Sequence, residues 1–296
     1  MVLKYSFRGL MAPVFTPFQA NSRQDIFTEY IPSYGAFLKE KGVLGILVNG
    51  TTGEGVSMST KERKLITEAW AETVKKTNQT LMVQIGGSSL TDVKDMAQHA
   101  EKVGVSSILC LPDLFFNPKT VDDLIHYLKF VSHAAPNTPL FYYHIPSFTG
   151  VNLSMSEFLS KGKDQIPTLS GIKFTSNDLD EGAKCLKVHE DLTVFLGADT
   201  IFSAAVMLGF DSGIMTTLNF WPERFQEIQN SINSGNVKQA MQTQTKISKD
   251  IENILASVSY IQGAKIQNLF QCPKKITKNL FNFLKHYEIC DFDPTI

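Results

Sequence analysis

Lys173 is the residue best placed for covalent chemistry. It stands inside the apolar run Leu169-Ser170-Gly171-Ile172-Lys173-Phe174-Thr175, where Leu169, Ile172 and Phe174 read as a buried strand. Apolar surroundings disfavour the ammonium form and push a lysine's pKa down. A lysine that is neutral part of the time adds to a carbonyl and forms a Schiff base. The plainer alternative is a lysine at the strand's end, its ammonium in water or paired with an acid. Other residues of chemical interest also fall at the ends of apolar runs: Thr51 and Thr52 in Asn49-Gly50-Thr51-Thr52-Gly53-Glu54-Gly55, Tyr143 closing Leu140-Phe141-Tyr142-Tyr143, Thr175, Gly197, Asp199 and Thr216. Each has a structural explanation of its own. Tyr143 suits a half-buried strand, Thr51 and Thr52 suit turns, and Asp199 reads as a helix N-cap before Thr200-Ile201-Phe202.

Those ends matter because of the elements between them. Runs at Leu10–Phe15, Leu44–Val48, Leu81–Ile85, Ser107–Leu111, Leu140–Tyr143, Leu169–Thr175, Thr193–Leu196 and Ser212–Thr217 read as eight strands. Helical periodicity separates them, near Asp25–Lys41, Ser59–Lys76, Thr91–Val103, Val121–Ala134, Ser154–Lys161, Asp178–His189 and a stretch ending near Leu208. Strict strand–helix alternation predicts an α/β fold, a (β/α)8 TIM barrel over residues 1–233. Residues 234–296 read as helices only, with a break at Cys272-Pro273, and are expected to pack on the barrel as a C-terminal extension. An open doubly wound sheet is disfavoured, since no GxGxxG follows the first strand.

The 296 residues are 43% hydrophobic, and 28 basic against 29 acidic side chains leave a formal charge of −1. No field of one sign is available to hold nucleic acid or an anionic membrane surface. Cys110, Cys185, Cys272 and Cys290 lack disulfide or metal spacing, and the first residues lack a signal-peptide core, so a cytoplasmic protein without a metal site is expected.

A barrel collects chemistry at the C-terminal ends of its strands, which brings the lysine, the tyrosine and the hydroxyls to one rim. From that inventory a mechanism follows. Lys173 adds to the keto group of a 2-oxo acid and loses water, and the protonated imine then serves as an electron sink for breaking the next carbon–carbon bond but one. The Gly50-Thr51-Thr52-Gly53 loop supplies donors for the acid's carboxylate, and Tyr143 moves the proton. No cofactor or metal is needed beyond the covalent imine.

Gly50-Thr51-Thr52-Gly53-Glu54, Tyr143 with Ile145-Pro146 and Gly150, Gly171-Ile172-Lys173, and Gly197-Ala198-Asp199 together resemble the dihydrodipicolinate synthase and N-acetylneuraminate lyase family of pyruvate-dependent class I aldolases. The resemblance spans the whole barrel and is strongest to the family's animal N-acetylneuraminate-cleaving branch. It implies reversible cleavage of N-acetylneuraminate to pyruvate and N-acetylmannosamine by a homotetramer. Carried over by position, Lys173 is the Schiff-base lysine, Tyr143 the proton shuttle, Thr51 and Thr52 the carboxylate holders, and Thr175, Gly197, Asp199, Thr200 and Thr216 the sugar side.

The chain also departs from that family. Phe148 stands where the synthases place an arginine, Thr200 where the lyases place a glutamate, Thr216 where a serine is usual, and Met215 and Leu218 where glycine and tyrosine are usual. Leu114-Phe115-Phe116 lacks the tyrosine of the bacterial members. Two alternatives follow: a related aldolase acting on another 2-keto-3-deoxy sugar acid, with Met215 and Leu218 making a bulkier pocket wall, or an idle barrel that binds 2-oxo acids.

Overall fold

Strands that are apolar on both faces need covering on both, and a closed barrel ringed by helices provides that. The computed structural model describes residues 5–19 and 25–262. Its strands are β1 (Leu10–Pro13), β2 (Gly45–Val48), β3 (Thr80–Gln84), β4 (Ser107–Cys110), β5 (Leu140–His144), β6 (Leu169–Phe174), β7 (Thr193–Leu196) and β8 (Ser212–Ile214). They pair in parallel in chain order, and β8 pairs back to β1, so the barrel is closed. The helices are α1 (Ile31–Glu40), α2 (Thr60–Thr77), α3 (Leu90–Val103), α4 (Val121–Ala134), α5 (Pro146–Thr149), α6 (Met155–Gln165), α7 (Leu179–Leu186), α8 (Phe202–Met207), α9 (Pro222–Asn233) and α10 (Val237–Gln262). None of the described helices is long and apolar enough to cross a membrane.

Most element ends follow local chemistry. Ser59 caps α2 in a reciprocal box with Glu62, as its Ser-x-x-Glu pattern predicts. Several elements differ from expectation: β1 stops at Pro13, α6 runs on to Gln165 and α7 stops at Leu186. The first helix begins at Ile31, with Pro32 in its first turn, while Ile26 forms an isolated bridge with Phe18 instead. Strand β8 stops at Ile214, which puts Thr216 in a 3₁₀ turn, Thr216–Asn219. The four-residue α5 was not foreseen; Pro146 starts it and Gly150 closes it at φ +70. The Cys272-Pro273 break, and any helix after α10, lie outside the described residues.

Two hydrophobic cores divide the strand residues. The outer one packs Ile46, Val48, Ile108, Cys110, Leu140, Tyr142, Ile172, Phe174, Val194 and Leu196 against the helices. The inner one joins Met11, Leu47, Met82, Leu109, Phe141, Tyr143, Phe195 and Ile214, with Tyr5 and Phe7 packed against them. Successive side chains alternate between the two, as a pleated strand requires.

Strand β6 breaks that alternation. Leu169 and Ile172 both face outward although they are three apart. The register explains it: Leu140 pairs with Leu169 but Phe141 with Gly171, so Ser170 is an extra, bulged residue. Gly171 takes φ +146, and a Cβ there would lie 1.9 Å from the Thr193 carbonyl oxygen. The bulge shifts the parity of everything after it. Lys173 therefore turns into the barrel, beside Tyr143 and Phe195 in the register. Without it, Lys173 would face the helices.

Candidate active site

The inward Lys173 is buried, at 4% exposure, and its Nζ donates to the Tyr143 hydroxyl at 3.1 Å. The same ammonium sits 4.2 Å from the centre of the Tyr143 ring. Tyr143 Oη lies in turn 3.1 Å from Thr51 Oγ1, making a chain of three proton-carrying groups from β6 through β5 to the loop after β2. Neither plain alternative holds for the lysine. Its ammonium is not in open water, and no carboxylate is within ion-pair distance among the described residues.

The loop that carries Thr51 and Thr52 is curled by its own backbone. Asn49 and Glu54 take left-handed conformations at φ +58 and +56, and the amides of Glu54 and Gly55 donate back to the carbonyls of Thr51 and Gly50. Thr16 Oγ1 donates to the Gly53 carbonyl at 2.6 Å, and Asn49 is tied through its Nδ2 to the Arg63 carbonyl and Thr67. Among the described residues the amides of Thr51 and Thr52 donate to nothing, which leaves two adjacent N–H groups for an anion.

From there the contacts continue around the rim. Thr52 Oγ1 and Thr216 Oγ1 are 2.8 Å apart, joining the β2 loop to the turn after β8. The next residue, Thr217, gives both its amide and its hydroxyl to Asp199 Oδ1, at 2.9 and 2.5 Å. Asp199 thus does not cap a helix. It opens a 3₁₀ turn, Asp199–Ile201, with no side-chain cap, and its carboxylate reaches across to the turn after β8. Burial raises its pKa above the ordinary carboxylate range, while the Thr217 bonds and the Lys173 charge hold it down.

Gly197 and Thr175 close the ring between β7 and β6. A Cβ on Gly197 would sit 2.0 Å from Thr175 Oγ1, so only glycine leaves room for that hydroxyl. Among the described residues Thr175 Oγ1 is buried without a hydrogen-bond partner.

Thr200 is exposed beside Asp199. Phe148 is also exposed, on α5, and Phe115 and Phe116 stand in solvent as an edge-to-face pair whose amides are held by Asp113. The expectation for Met215 and Leu218 is corrected. Both are fully buried in the outer core, and Met215 Cε packs against Gly213 rather than lining the mouth. Strand β8 ends with Ile214 inward, so the next side chain points outward.

Sequence reasoning missed the Ser170-Gly171 bulge, Thr217 and Asn219. Asn219 Nδ2 donates to the carbonyls of Pro13 and Thr216, and Tyr34 donates to Asn219 Oδ1, which pins the turn that carries Thr216. The odd spacing of Leu169 and Ile172 around a glycine was a readable sign of the bulge; the others have no local signature.

Residues 6–271 match the Dihydrodipicolinate synthetase family. The N-acetylneuraminate lyase of Xenopus tropicalis is 34% identical over 241 residues, covering 81% of this chain and 78% of that one. The human N-acetylneuraminate lyase is 36% identical over 220 residues, covering 73% and 68%. Among solved structures, the N-acetylneuraminate lyase (sialic acid aldolase) of Aliivibrio salmonicida superposes with a TM-score of 0.79 at 32% identity, covering 87% of this chain and 83% of that one.

Proposed function

The chain belongs to the dihydrodipicolinate synthetase family, and on that premise we propose that it is a Schiff-base lyase that reversibly cleaves N-acetylneuraminate to pyruvate and N-acetylmannosamine. The observation that carries the reading is the chain of Lys173 Nζ, Tyr143 Oη and Thr51 Oγ1 at the strand ends, buried at its Lys173–Tyr143 end. Lys173 attacks the keto carbon of the open-chain sugar acid, water leaves, and a protonated imine remains. Tyr143 takes the proton of the C4 hydroxyl, the C3–C4 bond breaks, and its electron pair flows into the imine to give an enamine. N-acetylmannosamine leaves as the aldehyde. Protonation at C3 and hydrolysis of the imine then release pyruvate and restore the lysine. The amides and hydroxyls of Thr51 and Thr52 hold the carboxylate, and Thr175, Gly197, Asp199, Thr200 and Thr216 take the sugar side. No step calls for a metal or a further cofactor.

Lys173→Ala should abolish pyruvate release from N-acetylneuraminate; turnover at wild-type rate in that variant would overturn the proposal. A second reading, a shorter 2-keto-3-deoxy sugar acid, is favoured by Thr200 alone, an uncharged and exposed side chain at the sugar end. Its mark would be a higher kcat/KM for the shorter acid. The proposal includes a homotetramer in the cytoplasm. Exposed rings at Phe115, Phe116 and Phe148 are apolar surface for such an assembly to cover, and the described cysteines, Cys110 and Cys185, are buried free thiols, as a reducing compartment keeps them.

A further inference from the structure

Helix α10 lies outside the strand–helix alternation, yet it touches the site. Its described buried residues are Ala240, Thr243, Gln244 and Ile247, one stripe at helical spacing. A glutamine on such a stripe is costly to bury unless both ends of its amide are satisfied. Both ends are. Gln244 Oε1 accepts from the Ser203 amide at 2.9 Å, and Gln244 Nε2 donates to the Asp199 carbonyl at 3.0 Å. Ser203 lies in the first turn of α8, whose N-cap, Ile201, offers no side-chain acceptor. Its amide is one of the donors that a helix start leaves without an internal partner. Gln244 fills that role from another helix, and with its second bond it grips the main chain of the turn that presents Asp199.

Asp199 is therefore held at two points, its main chain by Gln244 and its side chain by Thr217 through Oδ1 alone. We propose that Gln244 is a positioning residue for the sugar side: it fixes the Asp199 turn so that the second carboxylate oxygen meets the sugar's hydroxyls. The inference rests on the lyase reading. It assigns to α10 a part in substrate affinity that leaves imine formation at Lys173 alone, because the Lys173–Tyr143–Thr51 chain shares no hydrogen bond with Gln244 or Ser203.

Two variants of the full-length enzyme test it. Gln244→Met keeps the volume and removes both bonds. Gln244→Glu keeps the acceptor for the Ser203 amide but turns an oxygen on the Asp199 carbonyl. Each is measured for KM and kcat with N-acetylneuraminate and for borohydride trapping with pyruvate alone. The KM of Gln244→Met should rise about tenfold, while pyruvate trapping stays within twofold of wild type. Gln244→Glu should show the same split at pH 7. Its KM ratio to wild type should fall toward one near pH 5, where a protonated carboxyl can donate to the Asp199 carbonyl again. A KM within twofold of wild type in both variants overturns the inference, as does an equal loss of trapping and cleavage, the mark of a merely structural residue. A wild-type enzyme that traps pyruvate but cleaves no N-acetylneuraminate overturns the lyase reading, and this inference falls with it.

Discussion

Gly171→Ala puts the bulge of β6 to the test. The substitution adds one methyl group to a residue at φ +146, where its Cβ would meet the Thr193 carbonyl oxygen at 1.9 Å and two further Thr193 backbone atoms at 2.8 Å. Holding an alanine in that region of backbone space costs about 1–3 kcal/mol. The overlap is with backbone, not with the end of a flexible side chain, so relieving it costs roughly another 1–3 kcal/mol. Against a total stability on the order of 5–15 kcal/mol, the protein should still fold. Its melting midpoint should drop by about 5–20 °C, at roughly 2–4 °C per kcal/mol for a chain of this size.

The chain relieves the overlap by opening the bulge or rotating the strand, and either motion swings Lys173, two residues on. A misplacement near 1 Å can lower a rate about a hundredfold. Thermal unfolding by circular dichroism gives the first number, and borohydride trapping with pyruvate, well below the variant's midpoint, gives the second. The expected result is a lowered midpoint together with trapping slowed at least tenfold in protein that is still folded. A midpoint within about 2 °C of wild type with unchanged trapping would show that the bulge does not aim the lysine.

Tyr143→Phe removes the hydroxyl between Lys173 and Thr51 and should slow cleavage about 10²–10⁴-fold while the imine still forms; a loss under tenfold would rule out Tyr143 as the proton carrier. Because burial raises the Asp199 pKa, stability present below the ordinary carboxylate pKa, near 3.8, is lost as pH rises through the raised value. Asp199→Asn, which still accepts from Thr217, should therefore melt no lower than wild type at pH 7 yet bind the sugar acid more weakly, and a clearly lower midpoint would contradict this. His144 has the opposite sign. It is buried, stacked on Phe174, and its pKa is lowered from 6.5 to about 4, so it is neutral in the fold and takes a proton on unfolding. Stability present above pH 6.5 should fall by about 3 kcal/mol as pH drops to about 4, at roughly 1.4 kcal/mol per unit. His144→Phe should flatten that dependence, and an unchanged slope in denaturant melts across the window would refute it.

The barrel was legible because its strands are short apolar runs separated by capped, periodic helices, and local chemistry sets both. Lys173, Tyr143, Thr51, Thr52 and Thr216 fall at strand ends and so are expected at one mouth; hydrogen bonds link Lys173 to Tyr143 and Tyr143 to Thr51, and separately Thr52 to Thr216. What stayed hidden depends on which way a side chain faces or on distant pairing. Met215 and Leu218 sit at the expected height, but the alternation after Ile214 turns Met215 outward and the 3₁₀ turn buries Leu218 with it. The partners of Asp199 lie 18 and 45 residues away in sequence, on a turn and a helix whose local patterns say nothing of the site. The parity of β6 turns on a single extra residue, betrayed in the sequence only by the odd spacing of Leu169 and Ile172 around a glycine.

Borohydride reduction with N-acetylneuraminate as the only ligand, followed by peptide mass analysis, tests the central claim most directly. Imine formation and bond cleavage at one named residue predict a pyruvate-sized reduced adduct on Lys173. An adduct on another lysine, or none where pyruvate itself is trapped, would contradict it.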